Sequence, residues 1–423
     1  MKNVLIVSYY FPPINMIAAK RYGTMCKYFE KYGYKPYILT TRHNRSVWLD
    51  VKMELELPVN KDQIIRIGKP EENCVVDNFA IKIVLRFLEK YKFASRTISA
   101  GLIGWCEKIA ERSDLGQLND IDIVIGTFPP MENLFAAYYL SKKLNIPYIA
   151  ELRDLISDWT EAVDGYRPAR SLDCAVERYI LKKAEGIITV TPGFRDILKR
   201  RLPDKKYKVI FNGWDSIGKL NENSEKSENF FQTVYWRSNI KYLYYAGSLY
   251  AHRLESFELL IKCIKKVNEQ LENKVKLIVR SIGPKKLDIQ ARKMVDRQNM
   301  QEFVSILEPA PENVIRKEQK NAYINVVLST IHNKDRALMT TIPGKVYELM
   351  AESAPILAVV PPRSDVEKVL HYTQKGITSI SEKEIVDFIL GKCEKYTGNQ
   401  NIAFFSREKQ AERLCGFMDE LLM

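Results

Sequence analysis

Lys345 and Glu348 lie three positions apart where a Pro-Gly pair leads into a predicted helix, within TTIPGKVYELMAESAPILAV at positions 340–359. An ammonium and a carboxylate at this spacing share one helix face. They form either a solvated pair, which stabilises a helix by about 0.2–0.5 kcal/mol, or part of a ligand site. A glycine allows close approach of a ligand to the backbone, and a helix N-terminus favours phosphate. The segment is therefore a candidate site for a phosphorylated ligand.

Other residues capable of binding or acid–base chemistry follow predicted strands elsewhere in the chain. They are Tyr10, Pro13, Thr127, Glu151, Arg153 and Asp154 in the first half and Gly247, Ser248, Arg253, Pro343 and Gly344 in the second. The charged side chains at 151–154 could equally form an ion-pair cluster at a strand end, and Tyr10 could lie at the edge of the core. Arg253 follows a predicted buried strand and has no obvious local partner, which favours a ligand role.

Strands and helices alternate along the chain in a rhythm typical of βαβ units. Through residues 1–215, short apolar runs such as NVLIVSY and DIVIGTF alternate with helical stretches. Residues 216–238 are polar and predict a linker, and the alternation resumes over 239–400. This pattern predicts an α/β protein of two tandem doubly wound, Rossmann-like domains. Because ligands bind outside the carboxyl ends of parallel strands, we expect the working site in an interdomain cleft.

Length and composition limit the classes to which the chain can belong. At 423 residues it exceeds what one hydrophobic core supports, and 46% hydrophobic with 28% charged residues is typical of globular rather than disordered or membrane-spanning protein. Seven cysteines without CxxC spacing and four histidines without metal-ligand spacing argue against a disulfide framework and a metal site. We therefore expect a cytoplasmic protein with no metal and no bound cofactor.

The net charge of +13 predicts an anionic partner. No helix-turn-helix or RNA-recognition signature accompanies it, so we do not expect nucleic acid as the partner.

Residues 79–96, FAIKIVLRFLEKYKFASR, repeat basic residues every four positions beside apolar ones. A helix of this kind packs on its own domain or contacts an anionic membrane surface. We favour the first interpretation; the second would place the protein peripherally on the inner face of the cell membrane.

Seven motifs follow one another along most of the chain. They are NVLIVSYYFPP with Arg21 behind it, DIVIGTFPP, IPYIAELRDL, ERYILKKAEGIITVT, KVIFNGWD, YYAGSLY with Arg253, and IPGKVYELMAESAPILAV. In order and spacing they resemble the retaining GT-B glycosyltransferases of family four, close to bacterial enzymes of capsule, O-antigen and exopolysaccharide assembly. The resemblance implies the GT-B architecture and transfer of a sugar from a nucleotide-sugar donor to a glycan or polyprenyl-linked acceptor. It also implies retention of anomeric configuration without a metal.

The resemblance assigns donor-binding roles in the second half of the chain. Glu348 matches the second Glu of the family motif and is expected to bind the donor ribose, since a carboxylate accepts two hydrogen bonds from vicinal hydroxyls. Arg253 falls on the position of a diphosphate-binding Lys, and Lys345 is expected to supply a second positive charge. The predicted donor loops also include Gly247, Ser248, Pro343 and Gly344. The two cations would stabilise the leaving diphosphate.

In the first half, Thr127 falls on the position of the family's His and is counted as catalytic with Arg253 and Lys345. The predicted acceptor or cleft residues are Tyr10, Pro13, Arg21, Glu151, Arg153 and Asp154. The sequence departs from the family at Thr127, at Ser248 in place of an Arg, at Thr340 in place of the first Glu, and at 14–17, where glycines are missing. These departures indicate either a branch with a different donor or a subunit that has lost activity.

The C-terminal residues 401–423 predict a helix with one apolar face. In GT-B enzymes this helix commonly crosses back to the N-terminal domain, so we expect it to pack on residues 1–215.

Two other functions remain open. A nucleotide-sugar epimerase of similar fold would need acid–base residues, including a His, and His252 is the histidine nearest a predicted loop. A non-catalytic subunit of a polysaccharide assembly complex would bind a nucleotide without turnover.

Overall fold

The computed structural model describes residues 1–15, 17–42, 57–68, 83–84, 100–111, 118, 120–158, 167–215, 236–237, 239–334, 336–393 and 396–423. They divide into two compact units, which are Met1–Asn212 with Arg407–Met423, and Gly213–Ser406. The basic amphipathic stretch 79–96 lies outside the described residues except at 83 and 84, and the linker 216–238 except at 236 and 237. No helix in the described ranges is long and apolar enough to cross a membrane.

The first unit is built on a parallel sheet. Its described strands are β1 (Lys2–Val7), β2 (Tyr34–Thr41), β3 (Ile64–Ile67), β4 (Ile123–Phe128), β5 (Tyr148–Leu152), β6 (Gly186–Thr189) and β7 (Lys206–Val209). They are ordered β3-β2-β1-β4-β5-β6-β7. The helices are α1 (Ile17–Met25), α2 (Ala100–Glu111), α3 (Glu132–Leu144), α4 (Arg167–Lys182) and α5 (Pro192–Arg201), with 3₁₀ turns at Cys26–Tyr28, Glu30–Tyr32 and Lys61–Gln63. The central strands are buried on both faces, as their continuous apolar sequences predict.

Local sequence explains where these helices start and stop. The Thr191 hydroxyl accepts the N–H of Phe194, and Pro192 occupies the first helical position of α5, where its missing N–H costs nothing. Asn145 ends α3 in the left-handed conformation, with φ 53°. Strand β1 pairs with both β2 and β4, so the strand order reverses at β1. The loops after β1 and β4 therefore flank the switch point of this sheet.

The second unit repeats the arrangement. Its described strands are β8 (Lys241–Ala246), β9 (Val275–Arg280), β10 (Val304–Leu307), β11 (Ile324–Leu328), β12 (Ile356–Val359) and β13 (Gly376–Thr378), in the parallel order β10-β9-β8-β11-β12-β13. The helices are α6 (Ala251–Gln270), α7 (Lys285–Arg297), α8 (Glu312–Asn321), α9 (Arg336–Met339), α10 (Gly344–Met350), α11 (Asp365–Thr373) and α12 (Glu382–Leu390), followed by a 3₁₀ segment at Gln400–Phe405. Here the order reverses at β8. The predicted α/β class, with two doubly wound parallel sheets, is confirmed.

The terminal helix α13 (Arg407–Leu422) belongs to the first unit although it follows the second in sequence. Its apolar face joins the core formed by α1 and the central strands. A Cβ on Gly186, at the start of β6, would lie 2.8 Å from the Phe417 ring, so the glycine admits the helix. The side-chain Oε1 of Gln410 accepts the N–H of Phe211 at 2.9 Å. Apolar packing and a buried hydrogen bond thus hold the end of the chain on this sheet.

Candidate functional site

The loop after β8 begins the candidate site of the second unit. Gly247 has φ 146°, a backbone conformation that side chains rarely adopt, and its N–H donates to Arg280 O at 2.9 Å. A Cβ on Gly247 would lie 2.7 Å from Nζ of Lys345. The glycine therefore makes room for the lysine at the carboxyl end of β8, where the strand order reverses.

Lys345, in the first turn of α10, lies against the end of β8. Its Nζ donates to Ala246 O at 2.9 Å and is 3.8 Å from the ring centroid of Tyr245. Burial of the ammonium, followed by the charge of Arg253, lowers the pKa of Lys345 well below its ordinary value. An ammonium has three donors, and the described residues supply one oxygen acceptor. A bound anion would stabilise the charged form.

Arg253, in the first turn of α6, reaches the same loop. Its Nη1 donates to Ser248 O at 2.8 Å and lies 3.5 Å from the Tyr245 hydroxyl. Its Cζ is 5.0 Å from the ring centroid of Tyr250. Its Nε is buried and has no hydrogen-bond partner in the described structure. Arg253 and Lys345 together place two cations with unused donors at one glycine loop.

The remaining predicted donor residues surround α10. Glu348 lies one turn after Lys345 and is exposed, and no described residue donates a hydrogen bond to its carboxylate. Pro343 precedes Gly344, the first residue of α10, where an added Cβ would meet nothing within 4 Å. Thr340, at the place of the missing Glu, donates its hydroxyl to Arg336 O at 2.8 Å. That hydroxyl satisfies the end of α9, whereas the Glu348 carboxylate is available to a ligand.

Arg21 and Glu151 form a buried ion pair at the carboxyl edge of the first sheet. Arg21 Nη2 lies 2.7 Å from Glu151 Oε1, and the two side chains are 2% and 0% exposed. Nε of Arg21 donates to the same oxygen at 2.9 Å. Its other donors reach Ile210 O, Phe211 O and Asn212 Oδ1 at 3.0–3.1 Å. All five N–H donors of this guanidinium are thereby used.

Thr127 and Arg153 extend this network. Thr127 is 1% exposed and donates its hydroxyl to Glu151 Oε2 at 2.6 Å. The Arg153 guanidinium donates to three backbone oxygens, those of Ala18, Phe128 and Pro129. Burial lowers the pKa of Arg153, an effect that Glu151 partly offsets. These side chains tie the loops after β4 and β5 to α1.

Tyr10 and Asp154 are half-buried at the same edge. Burial, with a smaller contribution from Glu132, raises the pKa of Tyr10. Burial also raises the pKa of Asp154, and the charge of Arg153 partly offsets it. Pro13 is buried. The first unit therefore brings its predicted residues to one sheet edge, where some are committed to internal hydrogen bonds and others keep accessible surface.

Two residues outside the predicted set organise these loops. The Tyr245 hydroxyl donates to Ser248 O at 2.9 Å, and the side chain lies beside both Arg253 and Lys345. In the first unit, Asn133 Oδ1 accepts the N–H of Tyr9 at 2.9 Å, and its Nδ2 donates to Thr127 O at 2.7 Å. Asn133 thus joins the loops after β1 and β4. The sequence marks Tyr245 by its place two positions before Gly247, and Asn133 by its place three positions after the Pro-Pro pair that ends at Pro130.

A separate depression of about 550 Å³ lies at the carboxyl end of α10, at the other end of this helix from Lys345. It is lined by Trp214, Met350, Ala351, Glu352, Ser353, Lys375, Thr397 and Ile402. The Lys375 ammonium donates to the backbone oxygens of Glu352, Ser353 and Thr397, so its donors are occupied. Within the part of the chain that the structure describes, no three His, Cys, Asp or Glu side chains cluster as metal ligands would.

Comparison with solved structures extends over nearly the whole chain, whereas no protein-family model and no curated protein matches the sequence. Sucrose-phosphate synthase from Thermosynechococcus elongatus has a TM-score of 0.59 at 11% identity, covering 100% of this chain and 96% of its own. The Anabaena protein HepE, in complex with UDP and glucose, has a TM-score of 0.61 at 10% identity, covering 99% and 100%. The UDP-GlcNAc 2-epimerase from Methanocaldococcus jannaschii has a TM-score of 0.57 at 16% identity, covering 99% and 100%.

Identities in this range show a shared fold and nothing finer. In this chain the fold consists of two Rossmann-like parallel sheets, and the strand order of each reverses beside a loop that carries predicted site residues. The architecture predicted from the motifs is confirmed: the chain has the GT-B fold.

Proposed function

We propose that the protein is a glycosyltransferase that moves a sugar from a nucleotide-sugar donor to a glycan or polyprenyl-linked acceptor in bacterial surface polysaccharide synthesis. The observation that carries the proposal is the pair of cations, Arg253 and Lys345, with unused donors at the Gly247 loop. This loop follows β8, which pairs with both β9 and β11, and doubly wound sheets bind ligands at such reversals. Two adjacent cations suit the charge of a nucleoside diphosphate.

The α10 helix supplies the complementary contact to the nucleoside. Glu348 is exposed one turn after Lys345, with its carboxylate available. A carboxylate accepts two hydrogen bonds from the vicinal hydroxyls of a ribose. We assign Glu348 to the ribose and the two cations to the diphosphate, as in the family-four enzymes that the sequence resembles. The complex of HepE with UDP and glucose supports this ligand class through the shared fold alone.

The proposed chemistry follows from these charges. Transfer breaks the bond between the anomeric carbon and the diphosphate oxygen, and the bonding electron pair leaves with the diphosphate. An acceptor hydroxyl oxygen forms the new bond to the anomeric carbon, and its proton passes to the departing diphosphate. Arg253 and Lys345 would stabilise this developing charge, while the sugar passes through an oxocarbenium-like state. Because two protein cations supply the positive charge, we propose transfer without a metal. We also propose retention, on the resemblance to family four.

The acceptor is assigned to the first unit. Tyr10 and Asp154 keep accessible surface at the carboxyl edge of its sheet and are the proposed acceptor contacts. Arg21, Glu151 and Thr127 would act beneath them by fixing the loops. A polyprenyl-linked acceptor would bring the protein to a membrane, and contact of residues 79–96 with an anionic membrane surface stays a prediction, as does the cytoplasmic location.

An epimerase is the second candidate. Its support is the fold shared with the Methanocaldococcus jannaschii UDP-GlcNAc 2-epimerase and a histidine at the donor loop, where His252 stacks on Tyr250 at 5.8 Å between ring centroids. Incubation with UDP-GlcNAc and no acceptor separates the two functions. An epimerase would form a second UDP-sugar, whereas a transferase would return the UDP-sugar unchanged, apart from slow hydrolysis.

The first experiment is a thermal-unfolding screen with nucleoside diphosphates and their sugars. A bound ligand raises stability by RT ln(1 + [L]/Kd), so a specific nucleotide should raise the Tm at millimolar concentration. Transfer is then measured with that donor and a panel of glycan and polyprenyl-linked acceptors. Stabilisation without turnover on any acceptor would favour a non-catalytic subunit. A screen in which no nucleotide raises the Tm would contradict the donor site.

A further inference from the structure

Tyr245 lies against both cations of the Gly247 loop. It is fully buried in β8, and its hydroxyl donates to Ser248 O at 2.9 Å. The same carbonyl accepts Nη1 of Arg253 at 2.8 Å, and that nitrogen is 3.5 Å from the Tyr245 hydroxyl. Nζ of Lys345 stands 3.8 Å from the centroid of the Tyr245 ring. One side chain therefore meets Arg253 through its hydroxyl and Lys345 through its ring face.

Two cations at one loop repel each other, and the contacts of Tyr245 can offset part of this cost. The negative face of an aromatic ring attracts an ammonium placed over it. The hydroxyl shares the Ser248 carbonyl with Arg253 and so fixes the group to which the guanidinium is bonded. Tyrosine supplies both contacts, phenylalanine only the ring, and leucine neither.

We infer that Tyr245 is a positioning residue that sets the placement of Arg253 and Lys345 for a diphosphate group. The inference rests on the proposed function of the Gly247 loop and names a further residue on which that function depends. Tyr245 itself is buried beneath the cations, so it acts on the ligand through them.

Tyr244 provides the matched control on the same strand. It is 1% exposed, points to the opposite face of the sheet, and donates its hydroxyl to Glu318 Oε2 at 2.6 Å. Glu318 in turn pairs with Arg280 at 2.6 Å. Tyr244→Phe and Tyr245→Phe each remove one buried hydroxyl from β8. They differ in which groups lose a partner.

The experiment is calorimetric titration of the full chain and its variants with UDP and, separately, with uridine. We expect Tyr245→Phe to weaken UDP binding by about 3- to 10-fold, the loss for one hydrogen bond, and to leave uridine binding unchanged. Tyr245→Leu should weaken UDP binding further, because Lys345 loses the ring as well. Tyr244→Phe should change neither affinity. Thermal unfolding of each variant checks that it is folded, and Tyr245→Phe carries the test if Tyr245→Leu does not fold.

Action through Arg253 is tested in an Arg253→Ala background. There Tyr245→Phe should cause no further loss of UDP affinity, because the group that it positions is absent. Equal losses for UDP and uridine, or losses that add in this background, would overturn the inference. So would wild-type UDP affinity in Tyr245→Phe and Tyr245→Leu while Arg253→Ala and Lys345→Ala weaken it. If those two cation variants also bind UDP normally, the proposed function fails and the inference falls with it.

Discussion

The arginines at the carboxyl edges of the two sheets are used in opposite ways. Arg21 of the first unit donates all five guanidinium N–H groups, to the Glu151 carboxylate and to three oxygens of residues 210–212, which follow β7. The side chains of Arg21 and Glu151 are both buried. Among the described residues, Arg253 of the second unit donates hydrogen bonds through Nη1 alone, to Ser248 O and the Tyr245 hydroxyl. Its Nε is buried without a described partner.

This difference separates a charge that builds the fold from a charge that can bind. A buried donor without a partner costs free energy, and a bound anion would recover it. Lys345 likewise has fewer acceptors than donors, since the described residues give its ammonium one oxygen acceptor, and its pKa is lowered. The second unit therefore holds cations whose best partner is an anionic ligand, whereas the first unit has already supplied Arg21 with its partners.

The largest effect that tests this comparison is on stability. Arg21→Met leaves the Glu151 carboxylate buried without its cation, and we expect the free energy of unfolding to fall by about 3–5 kcal/mol. Arg253→Met leaves no buried carboxylate unpaired and should lower it by less than about 1 kcal/mol. Urea denaturation followed by fluorescence measures both. Equal losses for the two variants would show that the contrast between the two arginines has no energetic basis.

The next effect is on transfer. We expect Arg253→Ala to lower kcat/KM by about 10²- to 10³-fold, since it removes a cation from the developing diphosphate charge. Arg253→Lys keeps the charge and loses the planar fork, so it should retain part of the activity. Initial rates with the donor found in the thermal screen give both values. If alanine and lysine variants match the wild type, Arg253 does not contact the leaving group.

The fold was predictable because its signal is local and repeated. Apolar strands such as NVLIV and YLYYA, each followed by a helical stretch, are the pattern that buried parallel strands produce. The placement of the predicted residues at carboxyl strand ends follows from the same alternation. That part of the structure could be derived without knowing any contact between distant residues.

What each charged residue contacts could not be predicted in this way. The partners that occupy Arg21 lie about 130 to 190 positions away, at Glu151 and after β7. The acceptor of Lys345, Ala246 O, is 99 positions away. Tyr245 appears in the sequence as one more aromatic strand residue beside Tyr244, and only the structure shows which of the two lies under the cations. Whether a charge is satisfied depends on these distant contacts.

A smaller effect is expected at the ribose position. Glu348→Ala removes an exposed carboxylate and should weaken UDP binding by about 1.5–3 kcal/mol, the range for a hydrogen bond to a charged group. The fold should be unaffected, because no described residue depends on this side chain. Glu352→Ala, four positions later and just beyond the carboxyl end of α10, is the control and should bind UDP normally. Unchanged UDP affinity in folded Glu348→Ala would remove the ribose assignment.

The smallest expected effect is a proton taken up when UDP binds. The groups that face the Lys345 ammonium are Arg253 on α6, Glu348 on α10 and Tyr245 on β8. Burial and the charge of Arg253 lower the pKa of Lys345, and the charge of Glu348 partly offsets this lowering. Between this lowered pKa and the ordinary value of 10.5, folded protein carries less than a full proton at Lys345, so its stability rises with pH across that interval.

A diphosphate beside the ammonium raises the pKa again, so binding takes up part of a proton and weakens as the pH rises through the lowered pKa. Calorimetric titrations of UDP at one pH above 7, in buffers of different ionisation enthalpy, measure this proton uptake. UDP itself is largely ionised at such a pH, because its terminal phosphate has a pKa of about 6. Across the interval between the lowered pKa and 10.5 we expect wild-type affinity to fall as the pH rises. Lys345→Arg, which keeps its charge, should show neither the uptake nor the fall. Identical proton uptake in the two proteins would mean that Lys345 is charged before the nucleotide arrives, and the contrast between the two sheet edges would then rest on Arg253 alone.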